Sequence, residues 1–535
     1  MSLPIIHMGA HLRHLTATAV VRTVPVNGKV RVLASLFGRG RGVVAATAVA
    51  EAPAVAVPEP AGGDDLADSQ ANAPISVSQG PDQSGPRQYP SRQLTTGSIP
   101  RGLWGLAWPQ VIESILNVAD QLADLIWAGR IGTREVAGLG VSQNYVMVAS
   151  TGRMGFDTAM RAIVARAVGA GDMARANHVA LQAFSLSGVY SVLMALVGVL
   201  LTEPLLRLLG VPNDVVAAGA DYMRVQFIGQ GTMAYRMMSG AALQASGDTI
   251  TPMKATTVSR VIHIGLSPAL VFGFWAFPEM GLVGAAVANI VAQTAGAGMN
   301  FRALFTGKSR LHLTFRGYRP DGKVLWQIIR TGWPASITMA ERNFATLLLF
   351  GLVSPYGATT LAAFALTRRV EMLAMMGAMG MGQSAGVMVG QNLGAGKPER
   401  AKKTVAWALF FVTVMSASIV IWMLIFPEAF LRIFNGDQDL LNEASKWLRI
   451  QAIGYFVMGT GMVFQQSYNT AGDTLTPMIT TLVSIWFVQQ PLALILPDLG
   501  LGELGIAWAI VIGLAVRLAI YVPYYFHGRW LRVKL

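Results

Sequence analysis

The chain has 535 residues, 53% apolar and only 13% charged, with no cysteine and a formal net charge of +13. Charge at about half the share of ordinary soluble domains, with a mean hydropathy of +0.48, excludes a soluble enzyme or a disordered scaffold and points to a polytopic membrane protein. Lack of cysteine excludes a disulfide framework, zinc fingers and iron–sulfur clusters. The basic excess is what membrane proteins gather in cytoplasmic loops, so it is no signal for nucleic acid.

Residues 1–50 hold six basic residues and no acid, and eight prolines lie between Pro53 and Pro100. No stretch here has the roughly 20 apolar residues that span a bilayer, and no apolar run leads to a small-residue cleavage site as in a secretory signal. A disordered N-terminal tail is expected over 1–100, too polar and Pro-rich to offset its ordering entropy. Its acid-free, Arg-containing start also has the composition of an organelle transit peptide. The expected location is therefore the plasma membrane, or an organelle envelope if the tail is such a signal.

Long apolar segments then alternate with short polar breaks, at 103–128, 136–160, 178–201, 216–244, 254–275, 281–304, 327–350, 359–388, 404–426, 440–468, 476–496 and 503–525. Spans of this length must be helices, because backbone groups facing lipid have to be satisfied within the segment. Basic residues collect after the even-numbered spans: Arg166 and Arg175; Lys308, Arg310, Arg316, Arg319 and Lys323; Lys397, Arg400, Lys402 and Lys403; and Arg529, Arg532 and Lys534. The positive-inside rule places both termini in the cytoplasm.

The chain repeats itself. Trp108-Pro109 is answered by Trp333-Pro334, Gly169-Ala170-Gly171 by Gly394-Ala395-Gly396, Leu206-Arg207 by Leu431-Arg432, and Gly247-Asp248-Thr249 by Gly472-Asp473-Thr474, each 225 positions on. After the fifth span the register slips, Gly281 and Gly284 matching Gly502 and Gly505. An even number of spans per repeat keeps both halves in one orientation. The expected fold is thus an all-α membrane protein of twelve transmembrane helices in two parallel six-helix lobes, related by a pseudo-twofold along the membrane normal. The N-lobe is expected over 101–305, a cytoplasmic linker over 306–325 and the C-lobe over 326–535. Substrate sites in such folds lie between or inside the halves, near the midplane.

Ionisable groups within spans are costly and mark cavities or partners. In span one, Glu113, Asn117, Asp120 and Asp124 follow one another at steps of four, three and four. They share one helical stripe, either lining a water-filled cavity that exchanges protons or cations, or bonding neighbouring helices. Pro109 lies early in the same helix and permits a kink there. Arg236 in span four has no local partner, which makes the span-one carboxylates candidates. His263 and Ser267 in span five are one turn apart and can face the same cavity. In span seven Glu341, Arg342 and Asn343 have no counterparts in span one, and Glu341 is either a second ion site or the partner of a nearby arginine. Arg153, Asp157 and Arg161 read as a neutralising ladder, and Arg368 with Glu371 as a pair. No histidine cluster for a metal is visible, and no P-loop, GxSxG or HExxH element is present.

Leu-Gln-Ala-Ser-Gly-Asp-Thr-Ile-Thr-Pro (243–252), Val-Gly-Gln-Asn-Leu-Gly-Ala-Gly-Lys-Pro-Glu-Arg-Ala (389–401) and the twelve spans in two parallel halves resemble the multidrug and toxic compound extrusion (MATE) family. The resemblance implies export of organic cations and drugs against inward H⁺ or Na⁺. It assigns ion coupling to Asp124, fifteen residues after the bending Pro109, and a polar cavity position to Asn117. Where many relatives carry Asn-x-x-x-Asp-Pro in span five, this chain has His263-x-x-x-Ser267-Pro268, so Asp120 is the candidate replacement for the missing carboxylate. The expected function is a monomeric antiporter, not an enzyme, with no cofactor beyond the coupling ion. Its substrates are small, amphipathic and cationic, in a cavity of Glu113, Asn117, His263, Ser267, Arg236 and Glu341. The alternative is a lipid-linked saccharide flippase of the same superfamily, which uses a cationic cavity; Arg236, Arg342, Arg368 and Arg369 support it.

Overall fold

The computed structural model describes residues 18–26, 29–37, 94–208, 213–274, 277–432, 434 and 436–535. The chain forms two compact units, Met1–Ser84 and Gly85–Leu535. Most of the tail expected to be disordered lies outside the described residues. Within it, however, strands β1 (Thr18–Val26) and β2 (Lys29–Phe37) pair antiparallel, with Val26 opposite Lys29. Both strands are rich in valine, and the two residues between them are Asn27-Gly28, the favoured pair for a two-residue hairpin loop.

Among its described residues the second unit contains twelve long helices: α1 (Ile99–Ile131), α2 (Thr133–Ala170), α3 (Met173–Leu208), α4 (Asn213–Ser246), α5 (Ile250–Phe272), α6 (Gly281–Phe305), α7 (Gly322–Val353), α8 (Ala358–Gly394), α9 (Pro398–Ile425), α10 (Gln438–Ala471), α11 (Leu475–Leu501) and α12 (Leu504–His527). Each expected span falls on one of them. Seven, α3, α5, α6, α8, α9, α11 and α12, are long and apolar enough to cross a membrane on length and composition alone. The remaining five carry more polar residues, among them the interior groups described below. α1 runs through Pro109 without a break, and α11 widens into π turns at Val483–Gln489 and Pro497–Leu501.

The loops that close each half follow from their Gly-Asp-Thr sequences. Gly247 and Gly472 adopt φ of 100° and 92°, which only glycine takes without strain. Asp248 then accepts from the backbone N–H of Thr251 at 3.0 Å, and Asp473 from that of Thr476 at 3.2 Å, capping α5 and α11. Asp321 caps α7 in the same way, and bonds from the N–H groups of Lys323 and Val324 hold its carboxyl below the usual carboxylate range.

All the basic loops gather at one end of the bundle, the basic end, and there the two lobes lock together. The N-terminal part of α1 packs into the C-lobe core, Leu103 and Leu106 sharing a cluster with Met381, Val405 and Tyr468. Reciprocally, Ile328 of α7 packs among Ile163, Val179 and Met238 of the N-lobe. Gly169 of α2 lies against the carbonyl of Gln391, so close that a β-carbon would sit 2.0 Å from that oxygen; Gly394 of α8 lies against the carbonyl of Arg166, again at 2.0 Å. These two contacts are the same contact seen from each half, since 166 and 169 become 391 and 394 at the repeat spacing. Gly155 and Gly332 make a second backbone approach between α2 and α7. Across the same seam Gln391 donates to the Ala245 carbonyl at 2.8 Å and Arg166 to the Val533 carbonyl at 2.6 Å. The lobe contacts described here lie in the basic half, so the bundle is sealed at that end.

The seal makes a testable statement. Gly169→Leu, whose side chain would have to displace the Gln391 carbonyl, should lower the melting temperature of the detergent-solubilised protein by several degrees. Gly298→Leu, at a helical glycine with open space around it, should change it much less. Equal shifts for the two would show that the glycine contact does not hold the lobes together.

Candidate functional site

α1 carries the acidic stripe, and its neighbours α4, α5 and α6 decide which acid meets which partner. The stripe divides into two sites rather than lining one cavity. Towards the middle of α1, Asp120 is buried, with an oxygen 2.5 Å from Nη1 of Arg260 and the other 2.6 Å from Nδ1 of His263. Arg260 also donates through Nε and Nη2 to Oδ1 of Asn117, at 3.1 and 2.9 Å. One turn further on, Asp124 reaches Nε2 of His263 at 3.5 Å, and the same nitrogen lies 3.3 Å from the carbonyl of Ala285. Oδ1 of Asp124 is buried with no hydrogen-bond partner among the described residues.

Nδ1 of His263 faces an oxygen of Asp120 and Nε2 faces two more, those of Asp124 and Ala285. A proton on Nε2 or on Asp124 makes that second contact a hydrogen bond, so the group offers a place where one proton can be held. Asp120, Asp124 and His263 also bring one ligand atom each to within 4.8 Å of one another, a group of the kind that can hold a metal. The scattered histidines of the sequence did not reveal it. A cation there would have to compete with Arg260 for Asp120, and an imidazole is a poor ligand for a hard ion such as Na⁺, which favours oxygen. The donor set fits a proton better than a metal.

Towards the basic end, Glu113 belongs to a different group. It accepts from Gln244 at 3.1 Å and Thr256 at 2.9 Å, and lies 3.9 Å from Nη1 of Arg236. Arg236 is anchored by Thr256 at 3.0 Å and by a short bond to Gln293. Its expected pairing with a span-one carboxylate is thus with Glu113. Next to this group lies a pocket of about 160 Å³ between the lobes, lined by Gln110, Glu113, Asn117, Arg161, Gln244 and Asn300 together with Met379 and Gln383 of α8.

Arg153 and Asp157 pair at 2.5 Å, while Arg161, still within the field of Asp157, donates to Gln244 at 2.6 Å and Gln383 at 3.4 Å. Ser267 is buried without a hydrogen-bond partner among the described residues and does not line the pocket. His263 belongs to the Asp120–Asp124 group and not to the pocket lining. Glu341 lies in the C-lobe, also away from this pocket, with Oε2 unpartnered among the described residues. Arg368 pairs with Glu371 as expected. Sequence reasoning missed Arg260, although it stands three residues before His263 and seven before Ser267, on the same helical face.

Twelve helices in two pseudo-symmetric lobes, a polar pocket at their junction and an ionisable group beside it define a multi-pass membrane transporter. The MatE family model matches residues 109–269 and 334–495, one match in each half, together more than half of the chain. The chain belongs to the MATE family of multidrug efflux transporters, whose members are transporters rather than enzymes. It is 26% identical over 422 residues to the probable multidrug resistance protein YoeA of Bacillus subtilis, 78% of this chain and 91% of that protein. It is 23% identical over 402 residues to a FAD transporter of Shewanella oneidensis, 75% of this chain and 88% of that one. In fold it is similar, at a TM-score of 0.76 and 20% identity, to a MOP superfamily transporter from Pyrococcus furiosus, over 83% of this chain and 99% of that one.

Removing one partner of a buried ion pair strands the other, at a cost of roughly 3–5 kcal/mol. Arg260→Met should therefore lower the melting temperature of the detergent-solubilised protein, and adding Asp120→Asn should recover part of the loss. Additive losses in the double variant would show that the two side chains do not act as a pair.

Proposed function

We propose that the protein is a proton-coupled antiporter that exports small amphipathic compounds, organic cations among them. The observation that carries this reading is the contact of His263 Nε2 with Asp124 and Ala285, which a proton on either the ring or the carboxylate would complete. The basic end faces the cytoplasm, by the positive-inside rule, and the membrane is the plasma membrane. The sealed basic end makes the arrangement outward-facing. A proton arriving from outside binds the Asp124–His263 contact and changes how α1 packs on α5. Asn117 and Glu113, two and three turns down the same helix from Asp124, move with it and reshape the pocket. A ligand shifts such an equilibrium only by its differential affinity for the two arrangements, so proton and substrate each favour one of them. Asp120, held by Arg260, positions His263 and does not itself exchange the proton. Na⁺ coupling remains the alternative ion, less suited to these ligands.

The test is dye efflux from reconstituted vesicles. Tetramethylrhodamine methyl ester should move against an imposed pH gradient and not against a Na⁺ gradient. Asp124→Asn, which mimics the protonated carboxyl, should abolish gradient-driven movement at matched abundance. Movement driven by Na⁺ alone would refute proton coupling. Transport of a lipid-linked saccharide in the same vesicles, without movement of the dye, would favour the flippase reading.

A further inference from the structure

Charges inside the N-lobe can be matched one by one. Arg153 is met by Asp157 at 2.5 Å, Arg260 by Asp120 at 2.5 Å, and Arg236 by Glu113 at 3.9 Å. Arg161 is left over. Among the described residues no carboxylate lies within ion-pair distance of it, and its hydrogen bonds go through Nη1 to two neutral amides, Gln244 and Gln383. The Nε and Nη2 hydrogens make no hydrogen bond among the described residues, yet the side chain lines the pocket between the lobes. Asp157 and Glu113 act on it from beyond ion-pair distance, but each is already met by another arginine, Arg153 or Arg236. A guanidinium at membrane depth without a direct ion pair is costly and marks a ligand pathway. Its planar fork matches a carboxylate or phosphate.

The rest of the pocket fits the same ligand. Gln110 and Asn300 line the pocket as neutral amides and add no charge that would oppose an anion. Met237 and Met379 form adaptable apolar wall. The pocket, about 160 Å³ in volume, admits a charged head group and part of a ring.

We infer that the pocket between the lobes takes the anionic group of its substrate, a carboxylate or phosphate, at Arg161. The favoured cargo is then an amphipathic compound that carries an anion beside its aromatic or cationic body, rather than a simple cation. This rests on the efflux reading above and narrows its substrate class. Glu113 is compatible with it, because that carboxylate is already satisfied by Gln244, Thr256 and Arg236. Gln383 comes from α8, so the anion is gripped where the two lobes meet, and the grip changes as they separate.

The experiment compares tetramethylrhodamine, which has a free carboxylate, with its methyl ester, which lacks that charge on the same ring system. Binding to the purified full-length protein is read by fluorescence anisotropy, and movement in vesicles. The free acid should bind roughly tenfold tighter than the ester. Arg161→Gln should weaken the acid about tenfold while leaving the ester within twofold, and Arg161→Lys should keep part of the preference. Retained ester binding shows that the variants are folded. Equal affinity for the two dyes in the unmodified protein, or equal weakening of both by Arg161→Gln, would overturn the proposal. Failure of the unmodified protein to bind or move either dye would overturn the efflux reading itself, and the anion site with it.

Discussion

The reciprocal contact of Gly169 with Gln391 and of Gly394 with Arg166 is the constraint on which the rest of the molecule depends. Two helices from different halves can approach this closely only where the residue facing the carbonyl has no β-carbon, because a methyl group would lie about 2.0 Å from that oxygen. The contact obeys the pseudo-twofold, so a single backbone geometry, encoded twice, seals one end of the bundle. The seal fixes where the lobes meet, and hence where Arg161 and Gln383 face one another across the pocket. It also has to break for the pocket to be reached from that end, which makes its strength part of the transport cycle.

The two halves share backbone geometry but not interior chemistry. In the N-lobe, Arg236 on α4 fills the space left by Gly296 on α6, where a β-carbon would be 2.9 Å from its Cδ. In the C-lobe the roles are reversed: the position equivalent to Arg236 is Gly461, and the position equivalent to Gly296 in the slipped register is Arg517. Gly461 and Arg517 line a small C-lobe pocket together with Arg342. Each lobe thus keeps one arginine among the same helices but supplies it from a different one. The carboxylates have diverged further. Those of the N-lobe stripe have no equivalents on α7, and Glu341 stands where α1 has Leu116. A carboxylate–histidine group in one half and a sparser cationic pocket in the other is an asymmetry that a repeated fold readily carries, because the backbone does not depend on it.

What could be read in the sequence is what depends on one helix at a time. Hydropathy gave the number and order of the spans, the spacing of Trp-Pro and Gly-Asp-Thr gave the repeat, and the steps between Glu113, Asn117, Asp120 and Asp124 gave the stripe. What depends on how helices are rotated against one another was not legible. Nothing in α1 alone says that Glu113 turns to Arg236 while Asp120 turns to Arg260, and the division of the stripe follows only from the register of α5. Arg161 was read with its own helix, as part of a ladder with Asp157, because i,i+4 spacing is visible and a partner on α8 is not. The hairpin of residues 18–37 was hidden by the composition of the tail around it. The glycines of the seal stood out as repeat markers, but not as contacts.

Besides the close ion pairs of the N-lobe, Asp124 lies beside His263, and Arg161 faces the pocket with no carboxylate within ion-pair distance among the described residues. We propose the first for the proton and the second for the substrate, coupled through α1. The most direct test is whether substrate binding expels a proton. In weakly buffered detergent solution, saturating the purified protein with tetramethylrhodamine should release about one proton per molecule bound, and Asp124→Asn should bind the dye without release. Unchanged release from Asp124→Asn, or dye binding to the unmodified protein with no release, would contradict the account.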